Sequence, residues 1–297
     1  MGEVKVGIIG LDTSHTIEFT RRAQAPDCPE DHKVEGIKII NCMRFPSSYN
    51  SEEDQDKRQT QMEQWGVKVT KNIDEALEGV DAIMMEINNP ALHLKYFTQM
   101  LDKVKGRPVF MDKPIADTFK NAKEIVDTIK KKQLKIFSAS SLRFAPQIEQ
   151  IAKEVPSPKV GFATGPLGKA PEGSSVVFYG VHTVEMLERI MGRGAKKVFA
   201  QESPLGVGAT IEYSDGRRGF VQFNEKNWTW AALALDENGA KSYVIDGTYL
   251  YTILLKKIVE FFNGGNAPVQ VDDTFEIQAI LNAIDDSIAS GKEQILG

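Results

Sequence analysis

Short apolar runs alternate with longer amphipathic stretches from residue 4 to about residue 140, and this alternation constrains the fold more than any other feature. A β-α-β-α order of this kind predicts a doubly wound parallel sheet, that is, an α/β fold. The candidate strands are residues 5–10, 36–42, 67–70, 81–85, 108–111 and 135–138, and the helical patterns lie near 15–25, 52–65, 73–79, 91–102 and 117–132.

The pattern changes after Pro146, where strand patterns follow one another directly. Asp215-Gly216 and Asn238-Gly239 each lie between two alternating runs, which is typical of a β-hairpin. One helical pattern begins near Gly180, and two more follow late in the chain. The sequence therefore predicts two domains, residues 1–118 and an α+β domain over 119–297 with an open, mostly antiparallel sheet; the boundary falls between 115 and 146.

Composition excludes several classes of protein. The net charge is −5 and no basic cluster stands out, so nucleic acid is not an expected partner. No apolar run approaches the roughly 20 residues that span a bilayer, so no membrane association is expected. No secretory signal is evident at the start, and the spacing of Cys28 and Cys42 fits neither a disulfide framework nor a zinc site. We expect a cytoplasmic protein.

The turn after the first strand reads GIIGLDTSH, residues 7–15. A dinucleotide-binding turn has glycines for the tight bend, for close approach to a pyrophosphate and for helix packing. Aligned on Gly10, this chain has Asp12 and His15 at the second and third positions. Asp12 adds a negative charge near the two phosphates, which disfavours their binding. Thr13 and Ser14 add hydroxyls at a helix start, which favours an anion. The alternative is that Asp12 or Ser14 only caps the helix and nothing binds there.

The end of the second strand lacks the acidic residue that binds the hydroxyls of the adenosine ribose in dinucleotide-binding domains. Met43 occupies that place and Arg44 follows it. Arginine without the acid is the pattern that tolerates a 2′-phosphate, so NADP is at least as expected as NAD if a cofactor binds. The alternative is that Arg44 is a solvated loop residue.

Three later motifs narrow the choice of family. They read INNPALH at 87–93, VFMDKPIADTFKNAKEIVD at 109–127 and YGVHTVEMLERIMG at 179–192. In this order and spacing the chain resembles the Gfo/Idh/MocA family of oxidoreductases over nearly its whole length. The resemblance implies an N-terminal Rossmann domain that binds NAD or NADP. It also implies oxidation of a CH-OH group in a small-molecule substrate, namely a sugar, polyol or related hydroxy compound.

The resemblance also implies roles for individual residues. Lys113 is similar to the active-site lysine of the family, and a cationic lysine stabilises the charge of an alkoxide. His182 resembles the acid/base of the family, and a histidine titrates near working pH. Arg143 lies in a segment that resembles the crossover where substrate contacts occur. The residues that match the nicotinamide side of the cofactor pocket are Asn88, Pro90, His93 and Asp112.

The chain also departs from the family pattern. Phe178 stands where dehydrogenases of the family have Asp, four residues before the histidine. Glu185, one helical turn after His182, and Tyr179 are the candidate substitutes at the substrate. Two alternatives to a dehydrogenase stay open: a non-redox ligand-binding or regulatory protein, and a lyase, isomerase or hydrolase that uses NAD transiently.

Two further expectations concern assembly and metal. A broad sheet face not covered by helices predicts a homodimer or homotetramer. Asp12, His15, His93 and Asp112 fall at strand ends where a divalent ion could bind, but isolated polar residues there usually cap helices, so the sequence commits to no metal.

Overall fold

The computed structural model describes residues 2–296, and its first sheet confirms the predicted parallel order. Within that range the sheet has six strands in the order β3-β2-β1-β4-β5-β6, and every pairing is parallel. The elements are β1 (Val4–Ile9), α1 (Ser14–Gln24), β2 (Ile37–Met43), α2 (Glu52–Gln64), β3 (Lys68–Thr70), α3 (Ile73–Ala76), β4 (Ala82–Met85), α4 (His93–Val104), β5 (Val109–Met111), α5 (Phe119–Lys132) and β6 (Ile136–Ser138).

The strand order places a topological switch point between β1 and β4. In open α/β sheets, ligands bind at the carboxyl ends of the strands at such a point. Gly10 ends β1 with φ at +117°, and a Cβ there would lie 1.8 Å from the carbonyl oxygen of Glu86. Only glycine can take this backbone conformation beside β4, so packing requires glycine at position 10.

The second sheet is mixed and mostly antiparallel, as predicted. Its order is β12-β11-β7-β10-β9-β8-β13, and only the β7–β10 pairing is parallel. Both predicted hairpins are present, at Asp215-Gly216 and Asn238-Gly239. The elements are α6 (Pro146–Glu154), β7 (Val160–Pro166), α7 (Val181–Met191), β8 (Ala195–Ser203), β9 (Gly206–Tyr213), β10 (Arg218–Asn224), β11 (Ala231–Asp236), β12 (Gly239–Val244), α8 (Leu250–Phe262), α9 (Val271–Ser290) and β13 (Gln294–Ile295).

One face of the second sheet packs against α7. A Cβ on Gly161 of β7 would lie 2.5 Å from the sulfur of Met191, so the helix lies directly on the strand. On other strand positions Phe162 and Phe199 are 36% and 38% exposed. Large aromatic side chains at this exposure are compatible with an oligomer contact, and the homodimer or homotetramer stays a prediction.

The chain divides into two compact units that interleave along the sequence. The first contains the residues up to Ala116, Lys123–Ser138 and Tyr251–Val271, and the second contains Asp117–Ala122, Ala139–Leu250 and Asp272 onward. These units differ from a single division after residue 118 because parts of α5 and most of α8 pack with the first sheet. In the first unit, for example, Phe137 of β6 packs edge-on against Phe261 of α8.

Across residues 2–296, no helix has both the length and the apolar character needed to cross a bilayer.

Candidate active site

Asp12, the acid in the turn after β1, points into the protein. It is 1% exposed, and its carboxylate accepts hydrogen bonds from the Ser47 hydroxyl at 2.6 Å and from the Asn88 backbone N–H at 3.0 Å. Burial raises the pKa of the carboxyl, which these two hydrogen bonds only partly offset. The sequence predicted a negative charge facing the phosphates, but the structure turns this carboxylate away from solvent.

The part of the turn that faces solvent is neutral. Ser14 is exposed, and the first turn of α1 contains no acidic residue. Thr13 is the capping residue, rather than Asp12 or Ser14, because its hydroxyl accepts from the backbone N–H of His15 at 3.2 Å. A helix start with neutral side chains is a suitable site for an anion, so the donor chemistry of this turn fits a pyrophosphate.

Arg44, at the end of β2, is buried rather than solvated. It is 6% exposed and donates to Glu52 at 2.7 Å, to Asp56 at 2.6 Å and to Gln59 at 2.8 Å. All three partners lie on α2, so the guanidinium ties β2 to that helix. A 2′-phosphate here would have to compete with two carboxylates, and the NADP role of Arg44 stays a prediction.

His15, Glu86 and Asp112 form a buried group, which we name the Glu86 cluster. The Nδ1 atom of His15 lies 2.9 Å from Oδ1 of Asp112 and 3.8 Å from Oε2 of Glu86. Burial raises the pKa of Glu86 well above its usual value, and the charge of Asp112 adds to this. Sequence reasoning missed Glu86, although the available signal was a glutamate directly after an apolar strand.

Asp112 is the acid of the DKP motif, and its environment differs from that of Glu86. Oδ1 of Asp112 also accepts from the backbone N–H of Lys113 at 2.8 Å. Burial alone would raise the pKa of Asp112, but the His15 charge and hydrogen bond and the Lys113 charge bring it below the usual value. Lys113 itself is 8% exposed, so its side chain is buried.

His93 joins the loops that follow β4 and β5. It is fully buried, with Nε2 2.8 Å from the Ile87 carbonyl oxygen and Nδ1 3.3 Å from the Ile115 carbonyl oxygen. Burial lowers its pKa. Pro90 is also buried and opens the short turn before α4. These residues shape the strand-end loops, and their contact with a nicotinamide stays a prediction.

In the second unit, His182 is held by a buried serine. Its Nδ1 lies 2.6 Å from the hydroxyl oxygen of Ser140, and that oxygen also accepts from the Leu142 backbone N–H at 3.1 Å. His182 is the second residue of α7 and is 8% exposed. A histidine with one nitrogen fixed in this way has a defined ring orientation, as an acid/base requires. Sequence reasoning missed Ser140, whose only signal was its place in the SASS segment before the crossover.

Glu185 and His182 both contact Ser140. One of its carboxylate oxygens accepts from the Ser140 backbone N–H at 3.0 Å, and the other lies 3.4 Å from a guanidinium nitrogen of Arg143. Arg143 also pairs with Glu188, and all three charged side chains are buried. The contacts of Arg143 and Glu185 thus lie within the second unit, and direct substrate contacts for them stay predictions.

Aromatic side chains form a wall beside His182, made of Tyr179, Trp228 and Trp230. The Tyr179 ring lies 5.0 Å from the His182 ring and 5.8 Å from that of Trp228. A Cβ on Gly165 of β7 would lie 2.1 Å from the Trp230 ring, so this glycine makes room for the wall. Trp228 is 64% exposed, so this side of the wall faces solvent.

Glu185 makes a pH-dependent contribution to stability. Burial raises its pKa to about 7 from the ordinary 4.5, against the lowering effect of Arg143. Between these values the folded protein keeps a proton that the unfolded chain has lost, so the free energy of unfolding falls as pH rises from about 4.5 to about 7. This contribution is about 3 kcal/mol over that window. Glu185→Gln is expected to reduce the slope of the free energy of unfolding against pH. Urea denaturation across the same pH range measures this slope.

The exposed Glu225 provides the matched control for this measurement. Glu225→Gln removes a carboxyl without changing a buried one, so it should leave the slope as it is. An unchanged slope in Glu185→Gln would show that Glu185 does not keep its proton on folding.

Comparison with known proteins agrees with the fold of the chain. Residues 47–140 match the family model GFO_IDH_MocA, described as an oxidoreductase family with an NAD-binding Rossmann fold. The match covers the DKP motif and the INNPALH segment. This part of the chain is similar to the Gfo/Idh/MocA family. The matched region begins after the turn at residues 10–15, so the part of the chain outside it includes Asp12 and His15. No curated protein matches the sequence.

Solved structures show the same fold over the whole chain. GenD2 from gentamicin A biosynthesis, in complex with NAD, has a TM-score of 0.80 at 14% identity and covers 100% of this chain and 97% of its own. Myo-inositol 2-dehydrogenase from Lactobacillus plantarum has 0.80 at 16%, covering 99% and 100%. Scyllo-inositol dehydrogenase from Lactobacillus casei, with NAD(H) and scyllo-inositol, has 0.79 at 13%, covering 99% and 99%.

Proposed function

We propose that this Gfo/Idh/MocA protein is an NAD(P)-dependent oxidoreductase that interconverts a CH-OH group and a carbonyl in a sugar, polyol or related hydroxy compound. The observation that carries the proposal is His182, oriented by the buried Ser140 hydroxyl at 2.6 Å beside the aromatic wall. Such a wall suits a substrate that has an apolar ring face as well as hydroxyls. The inositol dehydrogenases of the same fold support this substrate class.

The proposal assigns the proton chemistry to His182. For oxidation, Nε2 must take the hydroxyl proton, so Nδ1 must carry its own proton and donate it to Ser140. A hydroxyl oxygen has two lone pairs, so that of Ser140 accepts from both Leu142 N–H and His182 Nδ1–H in this state. A bound nicotinamide supplies the hydride acceptor. Lys113 orients the substrate oxygen and stabilises the charge that develops on it.

The cofactor in this proposal lies along the strand ends of the first sheet. Gly10 and the segment Asp12–His15 hold the pyrophosphate at the start of α1, where neutral groups face outward. Asn88, Pro90, His93 and Asp112 form the loops on the nicotinamide side. NAD and NADP both fit this description. The cytoplasm stays the predicted compartment; both cysteines are free, which is usual in a reducing environment.

Calorimetry with the full chain tests the cofactor assignment. We expect at least one of NAD⁺, NADH, NADP⁺ and NADPH to bind, and the same nucleotide to support oxidation of a member of an inositol and sugar panel. Lys113→Ala should then lower kcat/KM by about tenfold or more, since it removes a charge that stabilises the alkoxide. Lys131→Ala, on the exposed end of α5, is the matched control and should keep the rate.

A non-redox function is the second candidate, and a specific observation favours it. Both replaced glycine positions of the turn carry buried side chains with their own partners inside the protein, Asp12 and His15. A protein that has stopped using nucleotide can keep such contacts without cost. No binding heat and no thermal shift with any of the four nucleotides would reject the oxidoreductase and leave this candidate.

A further inference from the structure

The Glu86 cluster brings three ligand-type side chains together from separate parts of the first unit. His15 lies in the first turn of α1, Glu86 directly follows β4, and Asp112 directly follows β5. One imidazole nitrogen and two carboxylate oxygens all lie within 4.8 Å of one another. All three residues are buried, so solvent does not screen their charges.

Glu86 is unsatisfied in this arrangement. It is fully buried, and neither of its carboxylate oxygens has a hydrogen-bond partner among residues 2–296. A protonated carboxyl would remove the negative charge but would still leave a buried polar group without a hydrogen bond. Lys113 and, when protonated, His15 place positive charge near the two carboxylates, but neither donates a hydrogen bond to a Glu86 oxygen. The two carboxylate oxygens of Glu86 therefore lack a cation that binds them directly.

We propose that His15, Glu86 and Asp112 bind one divalent metal ion of the Zn²⁺ or Mn²⁺ type. Ligand atoms about 2.0–2.2 Å from a tetrahedral ion lie roughly 3.3–3.6 Å from each other. The distances from His15 Nδ1, 2.9 Å to Asp112 and 3.8 Å to Glu86, lie on either side of that spacing. A neutral imidazole with two carboxylates balances the charge of the ion, and the mixed nitrogen and oxygen donors suit these metals.

Three protein ligands leave a fourth coordination position open. An open position is the feature that separates catalytic from structural zinc sites, so the ion would present a water or a ligand oxygen there. The proposal also gives a role to His15, which stands where the family turn has glycine. Asp12 and His93 are not part of this site, because both have other partners.

Metal analysis of the full-length protein tests the proposal without an activity assay. Protein stripped with a chelator is dialysed against Zn²⁺ or Mn²⁺, and the bound ion is counted by mass spectrometry. We expect one ion per chain and a rise in Tm, since the ion binds the folded state. Glu86→Gln and His15→Asn should each weaken binding by at least about tenfold.

A histidine outside the cluster supplies the control. His32 lies in the short turn Glu30–His32, and His32→Asn should keep one ion with unchanged affinity. X-ray absorption of the zinc form should show nitrogen and oxygen donors without sulfur, which checks the site even where a variant folds poorly. Absence of stoichiometric metal, or binding that Glu86→Gln and His15→Asn leave intact, overturns the proposal. Nucleotide calorimetry is a separate measurement, so either proposal can fail alone.

Discussion

Replacing His182 with asparagine is expected to lower kcat by about 10²–10⁴-fold, the usual contribution of a general acid/base. Asparagine keeps a polar group near Ser140 but cannot take a proton at working pH. Because the proposed role of the ring is proton transfer, KM should change much less than kcat. Steady-state kinetics on the panel compound that wild type oxidises fastest measures both constants. The pH profile of kcat should lose the titration of the imidazole.

Ser140→Ala separates positioning from proton transfer in the same assay. This variant keeps the imidazole but removes its hydrogen-bond partner 2.6 Å away. We expect a smaller loss in kcat and a shifted pH profile, rather than loss of the titration. An exposed replacement such as Glu225→Gln should change neither. Full activity in His182→Asn would remove His182 from the reaction.

Replacing Arg143 with methionine is expected to lower the free energy of unfolding by about 3–5 kcal/mol. Arg143 is 6% exposed and pairs with Glu185 and Glu188, which are 2% and 4% exposed. Without the guanidinium these carboxyls must either stay buried without a counter-ion or take up protons. Urea denaturation at a constant pH above 7, where Glu185 is ionised, measures the loss.

A compensated variant is the control for Arg143→Met. Glu185→Gln and Glu188→Gln, added together, remove the charges that the arginine neutralises, so the triple variant should regain much of the lost stability. If Arg143→Met alone is as stable as wild type, the buried ion pairs contribute no net stabilisation.

Local patterns were sufficient to predict most elements of the fold. All six predicted strands of the first sheet are present, because period-two and period-3.6 patterns depend on residues close in sequence. The position of β7 between β10 and β11 was not predicted. Its parallel pairing with β10 joins segments some 58 residues apart, as the Thr164 to Gln222 hydrogen bond shows, and no local pattern specifies such a pairing.

The candidate site, too, was predicted from the sequence only in part. Motifs by themselves indicated the resemblance to the Gfo/Idh/MocA family and drew attention to Lys113 and His182, because these residues lie at fixed spacings within short segments. The inward turn of Asp12, the pairing of Arg44 with α2 and the burial of Arg143 were decided only in three dimensions. So was the Glu86 cluster, in which His15 and Asp112 are 97 residues apart in the chain.

The sequence therefore determined which residue types stand at the strand ends and at the start of α7. The tertiary structure decided which of them are buried and what each one contacts. Burial and contact with partners set the pKa and the charge that each group presents, and both depend on residues distant in the chain. For this reason the turn at residues 10–15 shows an unfavourable acid in the sequence, whereas in the folded protein its exposed side is neutral.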